Sequence, residues 1–347
     1  MELNYDQIAS FDSEGMLDLI QGFPEQLQDA LNLSKKQRLK VGAEIRNVCL
    51  AGMGGSAIGG DIVKGFAGRQ LRVPFIVNRN YTLPHFVNRH TLVFLSSYSG
   101  NTEETLSAYR DAVERGAQIV CITSGGKLEE LARTNGHHTI RIPAGYPPRA
   151  ALGYLAVPVL CSLYDVGLIG NPETDILDAI DVVGDLRQKN APDLDINPSK
   201  RFAHALFNKI PVIYASVDVF EPVALRWKGQ LSENSEVMAF CNTFPEMNHN
   251  EIMGWGPLEE VNTLFHVIFL RDRLDHKRIQ KRMELCRPII SKYAGPLTEI
   301  ESTGDSLLAR IFSLIYLGDM TSLYLSTLYG VNPTSIDNID TLKNGLL

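Results

Sequence analysis

From Val48 to Ile142 short apolar runs alternate with amphipathic stretches, and this rhythm restricts the fold more than any other feature of the sequence. The runs are Val48-Cys49-Leu50-Ala51, residues 74–77, Leu92-Val93-Phe94-Leu95, Gln118-Ile119-Val120-Cys121-Ile122 and Thr139-Ile140-Arg141-Ile142. Helix-like segments at 102–115 and 127–134 separate the last three. Strands that alternate with helices are joined by right-handed crossovers, which predicts an α/β fold with a parallel sheet covered by helices on both faces. In such sheets ligands bind beyond the carboxyl ends of the strands. Two loops leave strands at that end, Gly52–Gly60 and Ser97–Thr102, and they are expected to converge.

The second of these, Ser97-Tyr98-Ser99-Gly100-Asn101-Thr102, stands where an apolar run gives way to a helix. The first-turn N–H groups of a helix carry partial positive charge, the hydroxyls of Ser97, Ser99 and Thr102 donate further hydrogen bonds, and a glycine lets backbone bend around an anion. The loop therefore reads as a phosphate seat, although the same composition also suits a well-capped helix start. The first loop holds five glycines within residues 52–60. Its Gly52-x-Gly54-x-x-Ala57 spacing invites a dinucleotide reading, but Ser56 interrupts it and the next strand ends in Asn78 rather than an acidic residue.

A second βα series follows the polar stretch 190–198. Pro211–Ser216 reads as a strand, 221–231 as a helix, and 237–240 and 264–270 as strands. This predicts an internal duplication whose second copy lacks the serine-rich loop. The 347 residues suit two domains, placed at 1–190 with leading helices and the phosphate loop, and at 191–347 with a long helix and a terminal tail. The first forty residues read as two short helices, with Asp12 or Ser13 a candidate cap for the first and Pro24 opening the second through Leu33. A net charge of −7 and short basic runs argue against nucleic acid. The apolar stretch 307–329 contains Arg310 and Asp319, which favours a core helix over a membrane span. Five scattered cysteines form neither a disulfide frame nor a metal-ligand cluster, and the acidic opening residues resemble no signal peptide, so a cytoplasmic location is expected.

Other residues draw attention singly. Pro147-Pro148 fixes the chain before a helix running to about Val166, placing Arg149 on its first turn, where a cation invites a compensating anion. Glu233 follows the expected end of helix 221–231, where the macrodipole suits a carboxylate to act as a base. His249 lies between Asn248 and Asn250, amides able to orient its ring. His266, inside an apolar strand, reads instead as a satisfied core histidine. Near the terminus Ile336, Ile339 and Leu342 form a stripe able to dock a short helix and hold Lys343 over a site.

These residues occur in an order that resembles the sugar isomerase (SIS) domain family, and within it the bifunctional phosphoglucose/phosphomannose isomerases. The carriers are Gly52–Asp61, Ser97–Thr105, Pro147-Pro148-Arg149, the run Arg226-Trp227-Lys228-x-Gln230-Leu231-x-Glu233-Asn234, Pro245-Glu246-Met247-Asn248-His249-Asn250-Glu251, and Lys343, together spanning nearly the whole chain. The resemblance implies two SIS domains, each a flavodoxin-like parallel sheet. It implies a sugar 6-phosphate substrate held by Ser97, Ser99 and Thr102 with Gly55 and Ser56, and no cofactor or metal. By the same resemblance His249, with Lys343 nearby, shuttles protons during ring opening, Glu233 moves the proton between C2 and C1 through a cis-enediol, and Arg149 stabilises the enediolate. Thr334 is the nearest counterpart of a threonine associated with tolerance of both C2 epimers. Family members are homodimers in which the histidine reaches the neighbouring site. Two departures from the looser pattern, Gly229 and Ser232, touch none of these side chains.

A sugar-phosphate-binding regulator without catalysis is the competing reading. It would keep the serine loop but has no need of Glu233, Arg149 and His249.

Overall fold

The computed structural model describes residues 3–40 and 44–346. Three helices lead the chain, α1 (Tyr5–Ala9), α2 (Met16–Gln21) and α3 (Phe23–Lys36). Of the two cap candidates, Asp12 acts: its carboxylate accepts from Met16 N at 2.7 Å and Leu17 N at 2.8 Å. Pro24 lies in the first turn of α3, where a missing N–H leaves no bond unmade.

There follow β1 (Asn47–Ala51), α4 (Gly54–Ala67), β2 (Phe75–Asn78), β3 (Thr91–Ser96), α5 (Glu103–Glu114), β4 (Gln118–Thr123), α6 (Gly126–Asn135) and β5 (His138–Arg141). The strands pair in parallel in the order β2-β1-β3-β4-β5. The order reverses between β1 and β3, with Ala51 opposite Leu95, so the loops after these two strands leave the sheet side by side. On one face Cys49, Val93, Leu95 and Cys121 meet Ala108, Tyr109 and Ala112 of α5 and Leu128 and Ala132 of α6. The hydrophobic surface so buried is the main driving force for this layer. Next come α7 (Leu152–Asp165) and α8 (Glu173–Lys189).

The remaining elements are α9 (Pro198–Leu206), β6 (Ile210–Ser216), α10 (Glu221–Ser235), β7 (Phe240–Phe244), α11 (Glu259–Asn262), β8 (Phe265–Arg271), α12 (Lys277–Ser291), β9 (Leu297–Glu301), α13 (Leu307–Tyr329) and α14 (Asp337–Gly345). Strands β6 to β9 form a second parallel sheet in the order β7-β6-β8-β9, which reverses between β6 and β8 just as the first does between β1 and β3. The two sheets thus repeat one another, as the sequence rhythm predicts. The strand expected at 237–240 instead begins at Phe240. Glu236 takes a left-handed conformation (φ 56°) and Val237 N bonds back to Leu231 O at 3.1 Å, so the residues just after α10 are spent closing that helix. Strand β9 was not anticipated, because Leu297-Thr298-Glu299-Ile300-Glu301 is an edge strand with one fully buried side chain.

The chain divides into two compact units. One comprises Gly22–Asp181 with Ser306–Leu308; the other gathers the described residues up to Gln21, Val182–Asp305, and those from Ala309 onward. The division therefore falls inside α8, and the leading residues group with the second sheet rather than the first. Arg187 NH1 donates to Gln21 O at 3.1 Å, and Asn332 Nδ2 to Ser13 Oγ at 3.1 Å.

Among the described residues α13 is the helix long and apolar enough to cross a membrane, but its apolar window is 94% buried within the protein. Its charges explain the choice. Arg226 of α10 donates to both carboxylate oxygens of Asp319, at 3.1 and 2.6 Å, and Arg310 Nε donates to Asp272 Oδ2 at 2.7 Å. Burial pushes the Asp319 carboxyl up, and the Arg226 guanidinium opposes that shift. Arg226→Ala would leave Asp319 buried without its cation, and a loss of about 3–5 kcal/mol is expected in urea unfolding.

His266 is a core histidine, as expected: its ring bonds Ala205 O at 3.0 Å and Thr298 Oγ1 at 2.8 Å, and burial pushes its pKa down. The unfolded state then binds an extra proton below the usual histidine value of about 6.5, so stability falls as pH drops through that value. His266→Gln should flatten the decline in the urea midpoint between about pH 7.5 and about pH 5.5.

Candidate functional site

Each unit brings together its own group of the expected residues. In the first, β3 is buried along its whole length and delivers Ser97 directly from the sheet. Ser97 is 1% exposed, its Oγ lies 2.8 Å from Thr102 Oγ1, and it accepts from Gly100 N at 3.1 Å. Ser99 is exposed, with its Oγ accepting from Asn101 N at 3.2 Å. Thr102 is the N-cap of α5 without receiving a side-chain capping bond, which keeps the helix's first-turn N–H groups facing the loop.

The loop is clamped by the one that follows β4. Ser124 N donates to Tyr98 O at 3.0 Å, Leu128 N to Gly100 O at 2.9 Å, and Lys127 N to Asn101 Oδ1 at 3.0 Å. Gly100 has φ +70°, and a Cβ there would stand 1.8 Å from Gly125 O. Only glycine permits that approach. Hydroxyls and amides held this rigidly can receive an anion without first being ordered.

The glycine turn after β1 opens α4 at Gly54, and Ser56 is buried in its first turn. A Cβ on Gly55 would lie 2.6 Å from Pro148 O and 3.4 Å from Arg149 Cα, so the turn abuts the Pro148–Arg149 backbone. Arg149 is 4% exposed. It occupies a 3₁₀ turn, Pro148–Ala150, ahead of α7 rather than the first turn of that helix; Pro147 and Pro148 fix the chain, and regular α geometry begins only at Leu152. The structure thus gathers Gly55, Ser56 and Arg149 with a loop that leaves the sheet beside Ser97–Thr102.

In the second unit Glu233 lies within the last turn of α10, not beyond it, because the helix continues to Ser235. Asn234 Nδ2 donates to Ser322 Oγ at 2.9 Å and Ser235 Oγ to Ser322 O at 2.7 Å, tying that turn to α13. Glu233 lines a cleft of about 260 Å³ with Ser232, Glu236 and residues 335–339. Thr334 precedes this segment; it is buried, and its hydroxyl has no hydrogen-bond partner.

Two expectations change. The amides beside His249 do not orient its ring: Asn248 Nδ2 donates to Cys286 Sγ at 2.9 Å and Asn250 Nδ2 to Glu246 Oε1 at 2.8 Å, leaving His249 exposed on the 3₁₀ turn Glu246–His249. The terminal stripe does not bury α14 either, although Ile336 and Ile339 line the cleft beside Glu233. Leu342 is 70% exposed, α14 buries none of its residues, and Lys343 pairs with Asp340 of its own helix at 3.6 Å. Three residues spaced along barely two turns offer too little apolar area to hold a nine-residue helix. The contacts of Glu251, whose carboxylate accepts from Tyr214 of β6 and Asn242 of β7, are not anticipated by the sequence. Their one signal there is Tyr214, a phenol on an otherwise apolar strand that needs a polar partner.

Comparison with known proteins decides the family. The model for the SIS domain matches residues 43–168, and that for the bacterial phospho-glucose isomerase C-terminal SIS domain matches residues 195–346. A bifunctional phosphoglucose/phosphomannose isomerase from Caldicellulosiruptor bescii is 46% identical over 95% of this chain and 98% of its own length. The chain belongs to this isomerase family. A second relative of the same description, from Aquifex aeolicus, is 36% identical over 87% of the chain and 90% of its own length. The fold recurs in tagatose-6-phosphate ketose/aldose isomerase from Escherichia coli, with TM-score 0.68, 16% identity, and coverage of 92% of this chain and 95% of that one.

Gly100→Ala should distort the loop that carries the hydroxyls. A large rise in KM for a sugar phosphate, with a lower thermal midpoint, is expected from steady-state kinetics and melting curves.

Proposed function

We propose that the protein is a cofactor-independent aldose–ketose isomerase that interconverts glucose 6-phosphate and mannose 6-phosphate with fructose 6-phosphate. The observation that carries this reading is the 46% identity to a bifunctional phosphoglucose/phosphomannose isomerase across nearly the full length of both chains.

The chemistry follows from the substrate. The cyclic sugar hides its carbonyl, so the ring opens first, with His249 carrying the proton between the ring oxygen and the anomeric hydroxyl and Lys343 assisting. The open-chain carbonyl acidifies the adjacent C–H. Glu233 removes the C2 proton and returns it to C1, while the hydroxyl proton passes from O2 to O1. Atoms and electrons balance within the sugar, so no redox partner enters. Arg149 offsets the charge that develops on the enediolate, an interaction absent in the ground state and therefore effective on the barrier. Ser97, Ser99 and Thr102, with Gly55 and Ser56, hold the phosphate.

Support for the phosphate role comes from the rigid hydroxyl loop at the start of α5. For the base, it comes from a carboxylate that lines a cleft while its helix is pinned beneath it. The buried, unpartnered hydroxyl of Thr334 near that cleft makes it the candidate for tolerance of both epimers. We further propose a cytoplasmic homodimer in which His249 serves the neighbouring protomer, in keeping with its exposure.

A coupled assay in the presence of EDTA should show turnover of both glucose 6-phosphate and mannose 6-phosphate; turnover of glucose 6-phosphate alone would remove the dual specificity. Glu233→Gln should still bind fructose 6-phosphate in calorimetry but lose about 10³-fold in kcat. Ser97→Ala with Ser99→Ala should act mainly on KM, and a loss confined to kcat would contradict the phosphate assignment.

A further inference from the structure

The turn that carries His249 is pinned on both sides of the histidine. Before it, Met247 is buried in the core of the second sheet, and Asn248 bonds α12 through both ends of its amide, donating to Cys286 Sγ at 2.9 Å and accepting from Arg282 NH1 at 3.3 Å. After it, the Glu251 carboxylate reaches back to the sheet. Tyr214 Oη of β6 donates to Glu251 Oε1, and Asn242 Nδ2 of β7 donates to Glu251 Oε2. Asn250 Oδ1 accepts from Glu251 N and closes the turn.

Each partner of Glu251 is itself fixed. Tyr214 is fully buried, and burial, followed by the carboxylate, pushes its phenol well above the ordinary value, so it stays a donor at working pH. Asn242 Oδ1 accepts from Thr243 N at 2.8 Å, which sets the amide orientation and leaves Nδ2 for the carboxylate. His249 has no hydrogen-bond partner of its own among the described residues. Its position therefore depends on the backbone that presents it.

We infer that Glu251, held by Tyr214 and Asn242, is a positioning residue for His249, fixing the turn from which the imidazole meets substrate. This rests on the reading of His249 as the proton carrier of ring opening. The clamp needs an acceptor at each carboxylate oxygen. A glutamine at position 251 would turn its amide N–H either to Asn242 N–H, where two donors meet, or to Tyr214, whose hydroxyl must then reverse from donor to acceptor, so one of the two bonds to the carboxylate is lost as it stands.

In the full-length protein Glu251→Gln should lower kcat about 10²-fold while KM stays within about twofold, because a misplaced group costs rate rather than binding. Adding Asn242→Asp supplies an acceptor for the new amide, and kcat should return to within about threefold of the original. The His249 ring signal in a ¹H–¹³C spectrum, assigned by its loss in His249→Gln, should shift or broaden in Glu251→Gln and recover in the double variant. Tyr214→Phe, which deletes one donor with little change of shape, should show a smaller loss and stands in should Glu251→Gln fold poorly. Unchanged kcat in Glu251→Gln and Tyr214→Phe beside an inactive His249→Gln would overturn the clamp and leave the isomerase reading intact. A loss that Asn242→Asp does not rescue overturns it as well. Full activity in His249→Gln would overturn the role of the histidine and the clamp together.

Discussion

A helix buried on every side must settle its charges before it can settle anywhere, and α13 does so with two ion pairs. Asp319 takes both bonds from Arg226, and Arg310 meets Asp272 at the carboxyl end of β8. Removing either cation would expose its partner to a desolvation cost of several kcal/mol, a large share of the roughly 5–15 kcal/mol that keeps a protein folded. Sliding α13 by a turn would break both pairs at once. The pairs thus specify register along a surface where apolar contacts alone would tolerate many. Helix α10 inherits that register through Arg226 and through Asn234 and Ser235 on Ser322. Glu233 lies on the same turn as those last two residues, so the placement of the candidate base follows from electrostatics buried beneath it.

Topology does the corresponding work at the first sheet. Once β1 and β3 are neighbours in parallel, the loops that leave them must share one end of the sheet, and no further interaction is needed to bring Gly54–Ser56 alongside Ser97–Thr102. What remains is fine adjustment. Gly55 lets the glycine turn approach the backbone of Pro148 and Arg149, and Gly100 lets the serine loop close on Gly125. Both contacts are backbone to backbone, so neither can yield by a change of rotamer.

Much of this was legible in the sequence because it depends on local pattern. Apolar runs marked the strands, the hydroxyl-rich turn marked the start of α5, and Pro147-Pro148 marked a fixed approach to Arg149. What escaped depends on partners distant in the chain. Nothing near Asn248 indicates that its amide turns to Cys286 and Arg282, leaving His249 unsupported by side chains. The stripe of Ile336, Ile339 and Leu342 has helical spacing, yet spacing cannot say whether a surface waits to receive it. Glu251 looked like a neighbour of the histidine, whereas its partners Tyr214 and Asn242 lie on two strands. Strand β9 was hidden for a related reason: an edge strand need not carry the apolar signature of a central one.

The two sheets repeat a topology but diverge at the point where it reverses. Beyond β1 and β3 the chain presents glycines and hydroxyls, whose N–H and O–H groups suit an anion. Beyond β6 and β8 it presents Ser216, Asp272 and Asp275. Ser216 Oγ donates to Asp275 at 2.6 Å, Ser302 Oγ to Asp272 at 2.6 Å, and Arg310 is already committed to Asp272. Burial pushes the Asp275 carboxyl up while the bonds from Ser216 and from Asp272 N oppose that shift, and these hydrogen bonds are turned inward. A phosphate dianion placed there would meet carboxylates and find the donors engaged. The crevice that suits an anion in one copy is therefore closed to it in the other, and the bonds that close it tie the second sheet to α13. The second crevice instead holds the hydrogen bonds and ion pair that anchor α13, the helix on which the last turn of α10, and with it Glu233, is fixed.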